Sequence, residues 1–120
     1  MAGTLTISTL SDGTNSTSST NCIKGSSQAW VRYNGTAQTI TSSYNVSSVT
    51  YNSTGDYTVN FTTALADANY LTLTTSLQGA AGQTLWIKSG GTYTSSAVQV
   101  LSGNNSASTN TTNFSIACFR

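Results

Sequence analysis

Histidine, proline and glutamate are absent from this chain, and only seven of its 120 residues are charged. Without histidine there is no Ser-His-Asp or Cys-His arrangement to activate a nucleophile, and the many serines have no base beside them. The acids are Asp12, Asp56 and Asp67, so a glycosidase-like carboxylate pair would have to be assembled from distant turns. Asp56, after Gly55, and Asp67, before Ala68-Asn69, read instead as turn formers whose carboxylates bond local N–H groups. Two separated cysteines, Cys22 and Cys118, fall short of the roughly four ligands of a zinc site. Nothing points to calcium. No lysine-bearing loop opens a helix, so Gly55, Gly79, Gly82, Gly90 and Gly91 are turn glycines rather than a phosphate cradle. The chain is expected to be no enzyme and to need no cofactor.

The scarcity of charge narrows the partners as well. Lys24, Arg32, Lys88 and Arg120 are scattered, and the formal net charge is +1. Nucleic-acid binding by counterion release needs a basic cluster that this pattern lacks, and an anionic membrane surface would find no polybasic patch. No apolar run approaches the ~20 residues of a membrane span. Met1 to Thr6 lacks a basic region followed by an apolar one, so no secretory signal is expected. In a reducing compartment the two cysteines stay free thiols, with Cys118 buried on a strand beside Phe119. The several Asn-x-Ser/Thr triplets follow from composition and are read as unglycosylated.

Short polar residues are what the chain does have: 23 Thr, 20 Ser and 11 Asn. Disorder is disfavoured because the apolar residues recur with period two and the high net charge of disordered chains is missing. From Val46 to Thr62 two alternating runs flank Asn52-Ser53-Thr54-Gly55-Asp56, and Tyr57, Val59 and Phe61 alternate with Thr58, Asn60 and Thr62, which predicts an antiparallel hairpin. Gln28 to Asn34 places Ala29, Val31 and Tyr33 on one face and Trp30 and Arg32 on the other, with Asn34-Gly35 as a turn. Thr39 to Tyr44, Asn69 to Leu77, Gln83 to Ser89 and Ala97 to Leu101 read as further strands. Phe114, Ile116 and Cys118 share a face of the last one, Asn113 to Phe119. Gly79 to Gly82 reads as a turn, and Ser102 to Thr109 as a polar loop.

The pattern predicts an all-β fold, an antiparallel β-sandwich or small barrel of about seven to eight short strands with no convincing helix. Residues 22–120 form its body. Residues 1–21 form an N-terminal arm and strap, since Ser11 to Asn21 has no apolar residue to bury. Such an arm lies on a neighbouring subunit, docks the module on a larger particle, or is a frayed terminus.

Aromatics flanked by amides suit glycan or protein surfaces. Of Trp30, Trp86, Tyr33, Tyr44, Tyr51, Tyr57, Tyr70 and Tyr93, most are read as core or subunit-interface residues. Trp86 and Tyr93, near Gly90-Gly91, are the candidates for an exposed binding loop.

Several words along the first part of the chain carry a family likeness. Cys22-Ile23-Lys24-Gly25-Ser26, Ala29-Trp30-Val31, Tyr33-Asn34-Gly35, Ser43 to Thr50, Gly55 to Thr62 and Asp67-Ala68-Asn69-Tyr70 together resemble a module of tailed-bacteriophage virion proteins, including tail-fibre tips and short structural proteins of cyanophages. The resemblance covers about Ser16 to Tyr70. It departs from the family pattern at Tyr51-Asn52-Ser53-Thr54, where an Asp-Asn-Gly-like turn is usual, and at Ala66, where a proline commonly stands. What it implies is a virion component made in the host cytoplasm, homotrimeric, serving in a short tail fibre or as capsid decoration. Its partners would be copies of itself, other tail or capsid proteins and a host surface glycan. From Leu71 onward no pattern is recognised, so no binding residue transfers.

Overall fold

The computed structural model describes residues 3–77, 83–104, 107–111 and 113–120. Along the chain lie β1 (Thr9–Ser11), β2 (Ser16–Ser18), α1 (Ser19–Gly25), β3 (Ser27–Asn34), β4 (Thr39–Tyr44), β5 (Val46–Ser53), β6 (Asp56–Phe61), β7 (Leu71–Leu77), β8 (Thr84–Ile87), β9 (Tyr93–Thr94), β10 (Ala97–Asn104), β11 (Ala107–Ser108) and β12 (Asn113–Phe119). One sheet has the order β4-β3-β12-β7. The other has β11-β10-β6-β5, with β8 and β9 also paired to β10. Every pairing is antiparallel. The two sheets stay separate and share one core, which makes a sandwich rather than a closed barrel. Among the described residues eight strands have four residues or more and four are shorter, beside the seven to eight short strands expected.

Alternation decides what each strand buries. β3 buries Ala29, Val31 and Tyr33 and leaves Trp30 and Arg32 outside; β12 buries Phe114, Ile116 and Cys118; β6 buries Tyr57, Val59 and Phe61. Val98 and Val100 of β10 complete the layer from the second sheet. Each such aliphatic or aromatic side chain contributes roughly 1.5–3 kcal/mol on burial. The aromatic part has specific geometry: Tyr33, Tyr57 and Phe114 sit with ring centroids 5.1 to 5.6 Å apart, and Tyr70 stacks on Tyr93 at 4.6 Å. Aromatic pairs at such distances add to the area they bury.

Two residues turn the chain where it must turn. Gly55 closes the β5–β6 hairpin at φ +73°, with its N–H on the Asn110 Oδ1 (2.8 Å) and its carbonyl on the Ser102 N–H (2.7 Å). Asn45 takes the chain from one sheet to the other at φ 53°, a conformation asparagine tolerates. Its side chain bonds Gln28 O, Thr63 O and the Thr63 N–H, which ties the crossing to both flanks.

The arm differs from the sequence expectation. In place of a strap without structure there is a β1–β2 hairpin followed by a short helix. Asp12 Oδ1 accepts from the N–H groups of Thr14 and Asn15, and Ser18 Oγ caps α1 by accepting from the Asn21 N–H. Side-chain-to-backbone bonds, not burial, order this stretch. The helix runs across the expected arm–body boundary, and the body begins at β3. The polar loop predicted after Ser102 is also shorter than expected: β10 continues to Asn104 and pairs with β11, because Gly103 lets the backbone at Ala107 approach closely. The predicted Gly79 to Gly82 turn lies outside the described residues.

β1, β2 and α1 pack chiefly on one another. The whole measures 51 × 30 × 27 Å with a radius of gyration of 16.7 Å, against roughly 14 Å for a compact domain of this length. The arm projects.

Candidate functional site

β7 breaks the inside-outside rule. Thr72, Thr74 and Ser76 face inward and its leucines outward: Leu71, Leu73 and Leu77 are 60%, 54% and 59% exposed. The reason lies in β8, which pairs β10 along one edge only. Its other edge is met by β7 side chains, with Thr74 Oγ1 donating to Leu85 O (2.8 Å) and Ser76 Oγ to Gln83 O (3.3 Å). Thr72 Oγ1 shares a hydrogen bond with the Tyr93 hydroxyl at 3.1 Å. Slipping β7 by one residue would bury the leucines and strand those carbonyls, and an unmet buried carbonyl costs about 1–3 kcal/mol.

The displaced leucines join other apolar side chains on the outer face of the first sheet. Register aligns Leu73, Ala117, Trp30 and Tyr44 across four strands, and Thr75, Ser115, Arg32 and Ser42 in the next row. Small residues on β12 lie between tall ones on β7 and β3. The result is a trough of about 520 Å³, floored by Ala117 and Ser115 and walled by Trp30, Arg32, Leu73 and Thr75. Trp30 and Tyr44 are exposed, as is Arg32. Sequence reading placed Trp30 on the outward face but missed the trough, whose signal was the run of leucines from Leu71 to Leu77 alternating with hydroxyls.

Of the two predicted binding residues, Trp86 lies in β8 and is 38% exposed, opposite Leu101 on the outer face of the second sheet. Tyr93 pairs with the fully buried Val98 and so faces inward, where it stacks on Tyr70. The two sit on opposite faces of one sheet and form no common platform. Near Trp86, in the same row beyond Leu101, is Asp56.

The carboxylates are engaged. Asp56 is buried and receives Lys88 Nζ at 2.7 Å, Gln99 Nε2 at 2.7 Å and Asn52 Nδ2 at 2.9 Å. Burial pushes its carboxyl up, but the bonds from Lys88, Gln99 and Asn52 outweigh this and hold it below the usual range. Asp67 is bound at both oxygens by the Arg120 guanidinium and accepts the Asn69 N–H, and these bonds also hold it low. Asp12 is held low by the N–H groups of Asn15 and Thr14. Each acid thus serves a turn or an ion pair. Among the described residues no three His, Cys, Asp or Glu side chains come together as metal ligands, and no helix is long and apolar enough to cross a membrane. Both cysteines are free thiols, and burial pushes the Cys118 thiol up to about 11.

Comparison with protein-family models, with curated proteins and with solved structures finds no match.

Proposed function

We propose that this chain is a structural component of a tailed-bacteriophage virion, a short fibre element of the tail that acts by assembly and by contact with the host surface. The observation that carries the assembly half is the outward leucine face of β7 with the Trp30 trough, which leaves apolar side chains in water that a neighbouring protein would cover. The use of Asp12 in a turn and of Asp56 and Asp67 in ion pairs, together with the absence of histidine, supports a role without catalysis. The likeness of residues 16–70 to virion modules supplies the setting. Trp86, exposed on the opposite sheet, offers an aromatic face of the kind that receives a sugar ring.

The projecting arm favours a second reading, capsid decoration, in which the body covers a shell facet and the arm grips an adjacent one. Quantitative mass spectrometry and labelling of purified particles from the phage that encodes the chain separate the two. A few dozen copies confined to the tail support the fibre, and adsorption to the host should then be blocked by the purified protein but not by a Trp86→Ala variant. Hundreds of copies over the shell support decoration. Absence from the particle refutes both.

A further inference from the structure

Among the described residues two apolar surfaces lack a partner within the chain. One is the trough between Trp30 and Leu73. The other is the arm, where Leu5, Leu10 and Ile23 are 81%, 52% and 66% exposed. Charge discriminates further. Among the described residues the ion pairs are Lys88–Asp56 and Arg120–Asp67. That leaves one acid without a cation, Asp12 on the arm, and two cations without an acid, Lys24 on the arm's own helix and Arg32 on the trough wall of the body. Asp12 Oδ1 is taken up by two backbone N–H groups, whereas Oδ2 receives only the Asn15 Nδ2 at 3.3 Å and retains acceptor capacity.

Spacing matches as well. On the arm the apolar Leu10 and the acidic Asp12 are two residues apart; on β3 the apolar Trp30 and the basic Arg32 are also two residues apart, about 7 Å along an extended strand. We infer that the arm of one copy docks on the outer sheet face of a second copy, with Leu10 entering the trough between Trp30 and Leu73 over Ala117 and Asp12 pairing with Arg32. The contact is heterologous: each copy offers an arm to one neighbour and a face to another, so a closing rotation gives a ring and a non-closing one a filament. The inference deepens the assembly role proposed above, but its test is made in solution on the purified chain. A protein missing from the particle would sink the virion role and leave this contact standing; a monomeric chain would do the reverse.

Sedimentation velocity of the full chain over a wide dilution series should show concentration-dependent self-association. Leu10→Ser removes the arm's plug and Arg32→Asp spoils the face; both residues are exposed, and circular dichroism checks that each variant folds. Should Arg32→Asp perturb β3, Ala117→Trp fills the trough in its place. Each variant alone should be monomeric. Mixed, the two should form a 1:1 dimer, because the intact arm of the Arg32→Asp chain meets the intact face of the Leu10→Ser chain. Asp12→Asn keeps the turn acceptor while dropping the charge, and should weaken association by about tenfold and flatten its salt dependence. A chain monomeric at every concentration, a Leu10→Ser variant that still self-associates, or a mixture that stays monomeric overturns the inference. The second of these outcomes would point instead to two sheet faces packed on each other, and the first to an arm folded on its own body.

Discussion

Three glycines separate backbone conformation from space, and Gly55 combines both. Gly55 and Gly90 have nearly the same dihedral, φ +73° and +70°, but a Cβ at Gly90 would meet nothing within 4 Å, whereas one at Gly55 would lie 2.4 Å from Ser102 O and 2.9 Å from Thr109 N. Gly35 lacks the positive φ, yet its Cβ would lie 2.6 Å from Thr111 O and 2.7 Å from the Tyr57 hydroxyl. An alanine in the left-handed region costs about 1–2 kcal/mol, and that is the whole effect expected for Gly90→Ala. At Gly55 the blocking atom is backbone, and Ser102 O is itself bonded by the Thr109 N–H. Relief must move the hairpin, which loosens the bonds from Gly55 to Ser102 and Asn110, at about 1–3 kcal/mol for each buried group left unmet. Gly55→Ala should therefore lose about 3–8 kcal/mol, a large share of the 5–15 kcal/mol typical of a domain. Urea unfolding followed by tryptophan fluorescence gives both values, and an unchanged slope with denaturant shows that stability alone has moved. If Gly55→Ala is no more destabilising than Gly90→Ala, the close approach of the hairpin turn to Ser102 is wrong.

The cysteines give a direct test of burial: Cys22 should react with a thiol reagent in the native protein, while Cys118, fully buried and with its thiol pushed up to about 11, reacts only on unfolding; two equally fast thiols, or a bridge detected by mass, would contradict this. Asp56 is lower in the fold than in the unfolded chain, so its stabilisation is present above the unfolded carboxyl range near ~4 and is lost as pH falls through the folded value. Asp56→Asn should accordingly lower stability at neutral pH by about 1–3 kcal/mol and make acid unfolding less steep, and an unchanged acid slope would remove Asp56 from that transition. Tyr57 runs the other way: burial pushes its phenol up to about 12, so its contribution is complete below the unfolded value of ~10 and disappears as pH rises through about 12. Alkaline titration by tyrosinate absorbance should show a class of phenols that ionises only with unfolding, reduced in amplitude by Tyr57→Phe, and six phenols titrating together in the folded protein would refute the buried cluster.

Alternation alone fixed the sidedness of β6, where Val59 stands between Thr58 and Asn60, and of β3 and β12, where Arg32 and Ser115 mark the row opposite Val31 and Ile116 as the outward one. The β5–β6 hairpin was equally plain, because a glycine between two alternating runs marks its own turn. β7 was not legible in this way. Its strand was visible, but leucine outside and Thr72, Thr74 and Ser76 inside follow from the carbonyls of Leu85 and Gln83 that no strand pairs, a demand made by the next strand and not written in β7 itself. Trp86 and Tyr93 looked like neighbours because they flank the same glycines; their opposite faces were set by pairing with Leu101 and Val98. The helix α1 escaped notice because its support is a serine cap rather than an apolar stripe. Local periodicity thus determined which strands exist and which side most of them bury. Register and edge satisfaction, which depend on partner strands and not on the pattern within one run, decided which apolar side chains were left outside, and with them the surface this protein offers to others.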